Sequence, residues 1–576
     1  MGAQIQPLSS ALRRGGLLAL APPLTVAVFL LPIAAGLLAT LMPAFGYLPA
    51  IGGHDFGVGP WRALFAHPGV ATSVALSAGI GLAATLLSFA LAVGAMAALH
   101  GRPAARGLKA LLAPLLATPH SAMAIGFAFL LAPSGWFVRL VSPGITGWQV
   151  PPDVATVGHP AGLAVVAGLL LKEVPYLMLM IAAALQQLPA RAQVDAARTL
   201  GYAPVTAWVR IVLPQVYPQI RLPVYAVLAF SLSVVDVSLV LGPGNPPPLA
   251  VLALRWFSDA DVRLQFQASA AACLQAAMVV GAIALWYAGE RCARGFALRG
   301  AHRGRRRGAW PAAARAAALL ACAALCASLL AIVALAVWSF AAQWRFPGAL
   351  PQAWTLQTWA ARAEGLGSLV LTTTLLAAAS TLIACALVVA CLEAESRLGL
   401  RTTMRSTWLL YTPLLVPQIA FLFGTQVALL RLGLDGSWLA LVWAHLLFVL
   451  PYLFLSLADP WRALDPRYVR SAAALGASPA RGLWVVKLPL LLRPLLAACA
   501  VGFAVSAGQY LPTLFAGNGR VATLTTEAVA LASGADRRLI GAYGFVQAML
   551  PVLVYGLALA VPAWAWRRRK GMAVDG

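Results

Sequence analysis

Long apolar stretches, separated by short polar and mostly basic segments, form the dominant pattern of this chain. A helix that crosses a bilayer needs about 20 mostly apolar residues. Twelve stretches meet this requirement, at about 17–41, 70–99, 110–133, 161–187, 223–243, 269–289, 316–341, 367–392, 406–430, 438–458, 495–514 and 544–566. The pattern predicts an all-α membrane protein of about twelve transmembrane helices, and an even number of spans places both termini on one side.

The placement of charge predicts on which side of the membrane the two termini lie. Only 10% of the 576 residues are charged, whereas a soluble domain has about 25%. Of the 41 lysines and arginines, 30 lie at the termini and in the even-numbered connections, and 10 lie in the odd-numbered ones. Because basic residues are retained on the cytoplasmic side of a membrane, we expect both termini to be cytoplasmic.

The net charge of +24 is therefore a signal of topology and of a lipid partner, and it does not indicate binding to nucleic acid. We expect the basic clusters at Arg303–Arg307 and Arg567–Lys570 to contact anionic lipid headgroups.

The chain also repeats itself. Residues of the same type recur at a nearly constant separation, as in the pairs Ser73 and Ser368, Pro119 and Pro417, Pro175 and Pro451, and Gly201 and Gly476. The repeat predicts two six-span halves of equal orientation, at 1–300 and 316–576, joined by a basic cytoplasmic linker at 301–315. Such halves are related by a pseudo-twofold axis along the membrane normal, and a pathway is expected between them.

Each half carries one long cytoplasmic segment between its fourth and fifth spans, at 188–222 and 459–494. The first contains DAARTLGYAPVTAWVRIVLP, and the second contains RSAAALGASPARGLWVVKLP. A glycine closes a helix well because it adopts the left-handed conformation, and a proline suits the first turn of the next helix. Both segments therefore predict two short helices joined at a glycine, which together form a compact elbow.

This pattern resembles the EAA loop of the permeases of ATP-binding-cassette (ABC) importers. The first copy has Asp in place of Glu, and the second has Arg470-Ser471-Ala472 where Glu-Ala-Ala is expected, so an acidic contact is not expected there. The positions that correspond to those of the loop are Asp195, Ala196, Ala197, Gly201, Ile211, Leu213 and Pro214 in the first half, and Arg470, Ala472, Gly476, Leu488 and Pro489 in the second.

The fused chain is similar to the permeases of ferric-iron and thiamine importers and to an uncharacterised relative of that group. The resemblance implies a type I importer fold in a bacterial inner membrane, with each loop acting as a coupling helix that docks into an ATPase subunit. It further implies two ABC ATPase subunits, which bind ATP and Mg²⁺, and a periplasmic solute-binding protein.

The sequence contains no motif for binding and hydrolysing ATP. A P-loop requires a lysine directly after a glycine, and none of the four lysines follows one. No CxxC pair or HExxH motif occurs, so we expect no enzyme activity, no metal site and no cofactor on this chain. The alternative is a gradient-driven secondary transporter with two six-helix halves. Its common major-facilitator form has an acidic residue between spans two and three, where this chain has HGRPAARGLK.

Three charged residues lie within predicted spans, which is costly and typical of functional sites. These are Lys172, Glu173 and Asp236, and the second half has Gln509 and Tyr510 near the position of Asp236. One interpretation places all five along the translocation path. The other treats Lys172 and Asp236 as an ion pair that joins the fourth and fifth spans.

Overall fold

The computed structural model describes residues 16–102, 112, 114–302, 310–400, 404–534 and 536–566. Within these residues nearly all regular structure is α-helical. The headgroup clusters at Arg303–Arg307 and Arg567–Lys570 lie outside the described residues. The predicted linker at 301–315 lies partly outside them, and its described ends belong to the two adjoining helices.

The elements follow one order in each half. The α-helices of the first half are Ala21–Ala44, Gly59–Ala66, Val70–Leu99, His120–Leu131, Trp136–Val141, Leu163–Leu185, Ala190–Thr199, Pro204–Ala207, Leu213–Ser233, Asp236–Leu241, Leu249–Phe257 and Leu264–His302. Those of the second half are Trp310–Phe340, Gln357–Leu398, Met404–Leu415, Gln418–Arg431, Trp438–Ala463, Arg467–Ala474, Pro479–Arg481, Leu488–Leu490, Leu492–Ala507, Leu511–Gly517, Leu524–Ala532 and Arg537–Ala565. The remaining elements are 3-10 turns at Gly16–Leu20 and Pro49–Ile51, π-helical turns at Trp208–Val212 and Gly482–Lys487, and strands at Ala341–Gln343 and Ala353–Trp354.

The twelve predicted spans correspond to helices, though not all are straight. Nine helices in the described part of the chain are long and apolar enough to cross a membrane, and two further spans are bent pairs of helices. The bends measure 89° before Gln418 and 78° before Leu492. The remaining predicted span is the fifth in chain order, at 223–243. Its place is taken by helix Leu213–Ser233, which begins earlier than predicted and ends at a break. Polar residues in its first turns, such as Gln215 and Arg221, make it less apolar than the other spans.

The two-half repeat is visible in matched contacts. Pro119 and Pro417 each precede the first residue of a helix. The backbone N–H of Leu249 donates to the hydroxyl of Ser77 at 2.8 Å. At the matching place in the second half, the N–H of Leu524 donates to Thr373 at 3.0 Å. The same hydrogen bond therefore fixes the same helix start in both halves.

The first helix of each half packs against the other half. Helix Ala21–Ala44 lies along Gln418–Arg431, and Trp310–Phe340 lies along Val70–Leu99 and His120–Leu131. Glycines allow both crossings, because a Cβ atom on Gly424 would overlap backbone atoms of Gly36. A Cβ atom on Gly126 would similarly overlap the backbone of Ala331. The halves are therefore interlocked.

Candidate functional site

The first elbow, Ala190–Pro214, has the predicted glycine joint. Helix Ala190–Thr199 ends before Gly201, which has φ +85°. The N–H of Gly201 donates to the carbonyl of Arg198 at 2.9 Å, and the N–H of Tyr202 donates to that of Ala197 at 3.2 Å. These bonds satisfy helix-end carbonyls in the manner of a Schellman motif. The joint is thus held by its own backbone.

The second elbow, Arg467–Pro489, repeats this geometry. Gly476 has φ +82°, and its N–H donates to Ala473 at 2.9 Å, while Ala477 donates to Ala472 at 3.0 Å. The hydroxyl of Ser478 accepts a hydrogen bond from the N–H of Arg481 at 3.2 Å, so it caps the short helix that follows. The elbow geometry predicted from glycine and proline spacing is confirmed in both halves.

The matched coupling positions differ in exposure. Asp195, Ala196, Gly201, Pro214, Arg470 and Gly476 are exposed, Ile211, Leu213, Ala472, Leu488 and Pro489 are half-buried, and Ala197 is buried. Asp195 forms an exposed ion pair with Arg198 at 3.3 Å. The residues that sequence analysis missed are the leucines just before each glycine, since Leu200 is 63% exposed and Leu475 is 89% exposed. Large apolar side chains exposed at the same place in both elbows are typical of a docking surface.

The two elbows are attached to the helices by different chemistry. The first elbow is held by apolar packing, since Val194, Trp208 and Val212 are buried in the main core of the first half. The amides of Gln193 and Gln215 also bond each other reciprocally at 3.0 and 3.1 Å. This attachment contains no ion pair among the described residues.

The second elbow is held by a buried charge cluster. The ammonium of Lys487 lies 2.6 Å from Oε2 of Glu393, and the guanidinium of Arg397 lies 2.6 Å from Oε1 of the same residue. Lys487 also donates to Ser396 at 3.2 Å and lies 5.6 Å from the ring centre of Trp461. Arg397 donates to the carbonyl of Pro479. Glu393 therefore connects the end of helix Gln357–Leu398 directly to the elbow.

His100, directly after helix Val70–Leu99, lies near the first elbow. Burial lowers the pKa of His100 below its ordinary value of 6.5, the nearby carboxylate of Asp195 opposes that shift, and Arg191 adds to it. The ends of Val70–Leu99 and Gln357–Leu398 thus both approach the elbow of their own half, which agrees with one shared face for the two elbows.

Both fifth spans are broken, and three of the five predicted path residues, Asp236, Gln509 and Tyr510, lie at the breaks. In the first half, Val234 and Val235 separate Leu213–Ser233 from the helix that begins at Asp236. In the second half, Gly508, Gln509 and Tyr510 separate Leu492–Ala507 from Leu511–Gly517. Non-helical backbone within a membrane is tolerated where it is buried in protein or lines a cavity, and such breaks form solute sites in other transporters.

The breaks meet near the interface between the halves. Tyr510 of the second half and Asp236 of the first are close enough to interact electrostatically. A Cβ atom on Gly508 would lie 3.5 Å from Pro119 of the first half. Asp236, Gln509 and Tyr510 are each half-buried. The arrangement brings polar groups from both halves together at one place.

The remaining predicted path residues are more deeply placed. Lys172 and Glu173 are each 4% exposed. The ammonium of Lys172 donates to the carbonyls of Leu115, Leu116 and Thr118 at 2.5–3.0 Å. Glu173 lies 3.5 Å from Nε2 of His120.

The predicted pairing of Lys172 with Asp236 is wrong: no such ion pair occurs among the described residues. Lys172 instead donates hydrogen bonds to the carbonyls just before Pro119, where a proline interrupts the third span and leaves backbone acceptors without helical donors. His120, which sequence analysis did not select as a site residue, lies between Glu173 and Phe230, whose ring centre is 4.7 Å away.

Comparison with known proteins places the chain in a family. It is 33% identical over 520 residues to the inner membrane ABC transporter permease protein YnjC of Escherichia coli, and the alignment covers 89% of this chain and 92% of YnjC. The chain belongs to the ABC transporter permeases.

The permease is also 37% identical over 164 residues to the molybdenum transport system permease protein ModB of Mycobacterium tuberculosis and of Mycobacterium bovis. That alignment covers 26% of the permease and 61% of ModB. No family model matches the chain. The relatives and the apolar helices agree that the permease is a multi-pass subunit of the inner membrane.

Proposed function

We propose that the permease forms the translocation path of an ATP-driven importer, and that two separate ABC ATPase subunits dock beneath its elbows. The observation that carries the proposal is the occurrence of one elbow geometry in both halves. Gly201 and Gly476 adopt the same conformation, and Leu200 and Leu475 are exposed at the same point. ATP and Mg²⁺ are bound by the ATPase subunits, and this chain binds no cofactor.

In this proposal both termini and both elbows are cytoplasmic. Closure of the ATPase subunits on ATP pushes the elbows together and tips the interlocked halves from inward-facing to outward-facing. A periplasmic solute-binding protein delivers the solute to the outer mouth. Such a rigid-body motion is supported by the self-contained backbone of each elbow joint.

The proposed path runs between the halves, past the breaks of the fifth spans. Asp236, Gln509 and Tyr510 line it, and Glu173 lies beside it with His120. Lys172 has a positioning role, since its three donors are directed at backbone carbonyls. The candidate solutes are ferric iron, thiamine, another cation and an anion, and the relative ModB is named for molybdenum transport.

The test uses variants at the exposed leucines, which make few contacts within the permease. Leu200→Asp and Leu475→Asp, singly and together, are compared with Leu350→Asp, a leucine in an outer loop that is 63% exposed. The full chain is purified with the ATPase subunit and the binding protein of the same organism. ATPase binding and ATP-dependent uptake of ferric citrate, thiamine and molybdate into proteoliposomes are then measured.

We expect the double variant to lose ATPase binding and uptake, while Leu350→Asp retains both. Unchanged ATPase binding by the double variant would refute docking at the elbows. Uptake that needs no ATP and stops when an ionophore collapses the ion gradient would instead identify a secondary transporter.

A further inference from the structure

The breaks of the two fifth spans are equivalent in position, but they differ in the side-chain hydrogen bonds that cross them. In the second half, His445 of helix Trp438–Ala463 is 1% exposed. Its Nδ1 lies 2.8 Å from the hydroxyl of Ser506, before the break, and its Nε2 lies 2.9 Å from the hydroxyl of Thr513, after it. One imidazole ring therefore bonds both sides of the break. We call His445, Ser506 and Thr513 the histidine bridge.

The direction of these bonds follows from the proton count. The hydroxyl of Thr513 donates to the carbonyl of Gln509 at 2.9 Å. A hydroxyl has one proton to donate, so Thr513 accepts from Nε2–H of His445. The neutral ring then accepts at Nδ1 from Ser506. The result is a continuous chain of three hydrogen bonds that ends on a backbone carbonyl within the break.

The first half has the two hydroxyls without the ring. Ser231 and Ser238 correspond to Ser506 and Thr513, and they are 1% and 3% exposed. Leu169 stands where His445 stands, since the in-helix prolines Pro175 and Pro451 align these two helices. Neither serine hydroxyl has a hydrogen-bond partner among the described residues.

The comparison is direct because the two breaks share their backbone geometry. Val235 and Tyr510 each precede the helix after the break, with φ, ψ of −105°, −55° and −98°, −67°. The difference between the halves therefore lies in the side chains that cross the break. Bending the second break requires the histidine bridge to be broken, which leaves buried polar groups unpaired at considerable cost. In the described part of the chain, no side chain makes such hydrogen bonds across the first break.

We infer that His445 is a positioning residue that keeps the second break rigid, so that the first break, next to Asp236, is the one that bends during transport. The transport role rests on the proposed function, whereas the difference in rigidity does not. In this arrangement Gln509 and Tyr510 form the fixed wall of the path, and Asp236 lies on the moving wall.

The test exchanges the two residues. His445→Leu gives the second half the side chain that the first half has at this position. Leu169→His places an imidazole ring, similar in size to the leucine that it replaces, at the equivalent position of the first half, which contains Ser231 and Ser238. His445→Gln keeps a donor and an acceptor and is the conservative control. Amide hydrogen exchange of the full-length permease in lipid nanodiscs is followed in peptides that cover 505–513 and 230–238.

In the wild type, we expect amides at the first break to exchange faster than those at the second. His445→Leu should speed exchange at 505–513 about tenfold or more, as expected for the loss of one or two hydrogen bonds, and His445→Gln should restore part of the protection. Leu169→His should slow exchange at 230–238. Equal exchange at the two breaks of the wild type, or unchanged exchange at 505–513 in His445→Leu, would overturn the inference.

If His445→Leu does not fold, the wild-type comparison and Leu169→His decide the matter. In the assembled transporter, Leu169→His should slow ATP-dependent uptake while ATPase binding stays normal. Hydrogen exchange needs neither ATP nor solute, so a failed histidine bridge is distinguishable from a failed importer assignment.

Discussion

The charge cluster that holds the second elbow predicts how much free energy of unfolding each variant of the cluster loses, and in what order. Glu393 accepts from two cations, and both Glu393 and Lys487 are buried, with side chains 3% and 9% exposed. Removing one partner of a buried ion pair costs about 3–5 kcal/mol, because the other charge is left uncompensated. Glu393→Gln should therefore cost about 3–5 kcal/mol of unfolding free energy.

Lys487→Met should cost less, because Arg397 still neutralises Glu393 at 2.6 Å. We expect about 1.5–3 kcal/mol, the value of a hydrogen bond to a charged group. The double variant should cost less than the sum of the two, since it no longer contains the buried ammonium of Lys487 that Glu393→Gln alone leaves without a carboxylate. The matched control is Arg462→Gln, which removes a more exposed pair between helix Trp438–Ala463 and Glu395, on the same helix as Glu393, and should cost about 0.2–1 kcal/mol.

The assay is unfolding of the purified permease in mixed micelles by titration with a denaturing detergent, with ATP hydrolysis and uptake of the assembled transporter measured in parallel. Because the cluster attaches the elbow, Glu393→Gln should lower uptake more than ATP hydrolysis. A cost for Glu393→Gln no greater than that for Arg462→Gln would refute the reasoning.

Three other changes test separate features. Gly424→Leu should prevent the crossing with the first helix and abolish stable monodisperse protein in size-exclusion chromatography, whereas Gly281→Leu, which has open space around its Cβ position, should not. Gly476→Ala should cost about 1–2 kcal/mol in thermal unfolding because alanine is strained at φ +82°; no loss would contradict the left-handed joint. His100 has a lowered pKa, so the stability it contributes is present above pH 6.5 and is lost as the pH falls below that value. The melting temperature of His100→Gln should therefore fall less than that of the wild type between pH 7 and pH 5, and parallel curves would contradict this.

Local signals in the sequence predicted the elbows well. A glycine followed three residues later by a proline has few conformations that continue a helix. Gly201 and Gly476 therefore predicted a joint in each elbow and its repetition in the two halves. The spans were equally predictable from apolar length, because a bilayer imposes one minimum length on every helix. The repeat followed from residue identity alone.

Contacts between distant residues were not predictable in the same way. One of the two interpretations gave Lys172 the wrong partner, because its true partners are backbone carbonyls, which have no sequence signature. His445 was not selected as a site residue, because its partners lie 61 and 68 residues away. The break at Val234 and Val235 contains no glycine or proline, so nothing in the local pattern predicted an interrupted span there.

The glycine crossings also constrain how the molecule is assembled in the cell. Helix Ala21–Ala44 emerges from the ribosome long before Gly424, which accommodates Gly36 and is synthesised roughly 400 residues later, about 20–80 seconds at ordinary elongation rates. During that interval the first helix has lipid where its final neighbour will be. Joining both halves in one polypeptide keeps that neighbour tethered nearby and supplies the two partners in equal numbers.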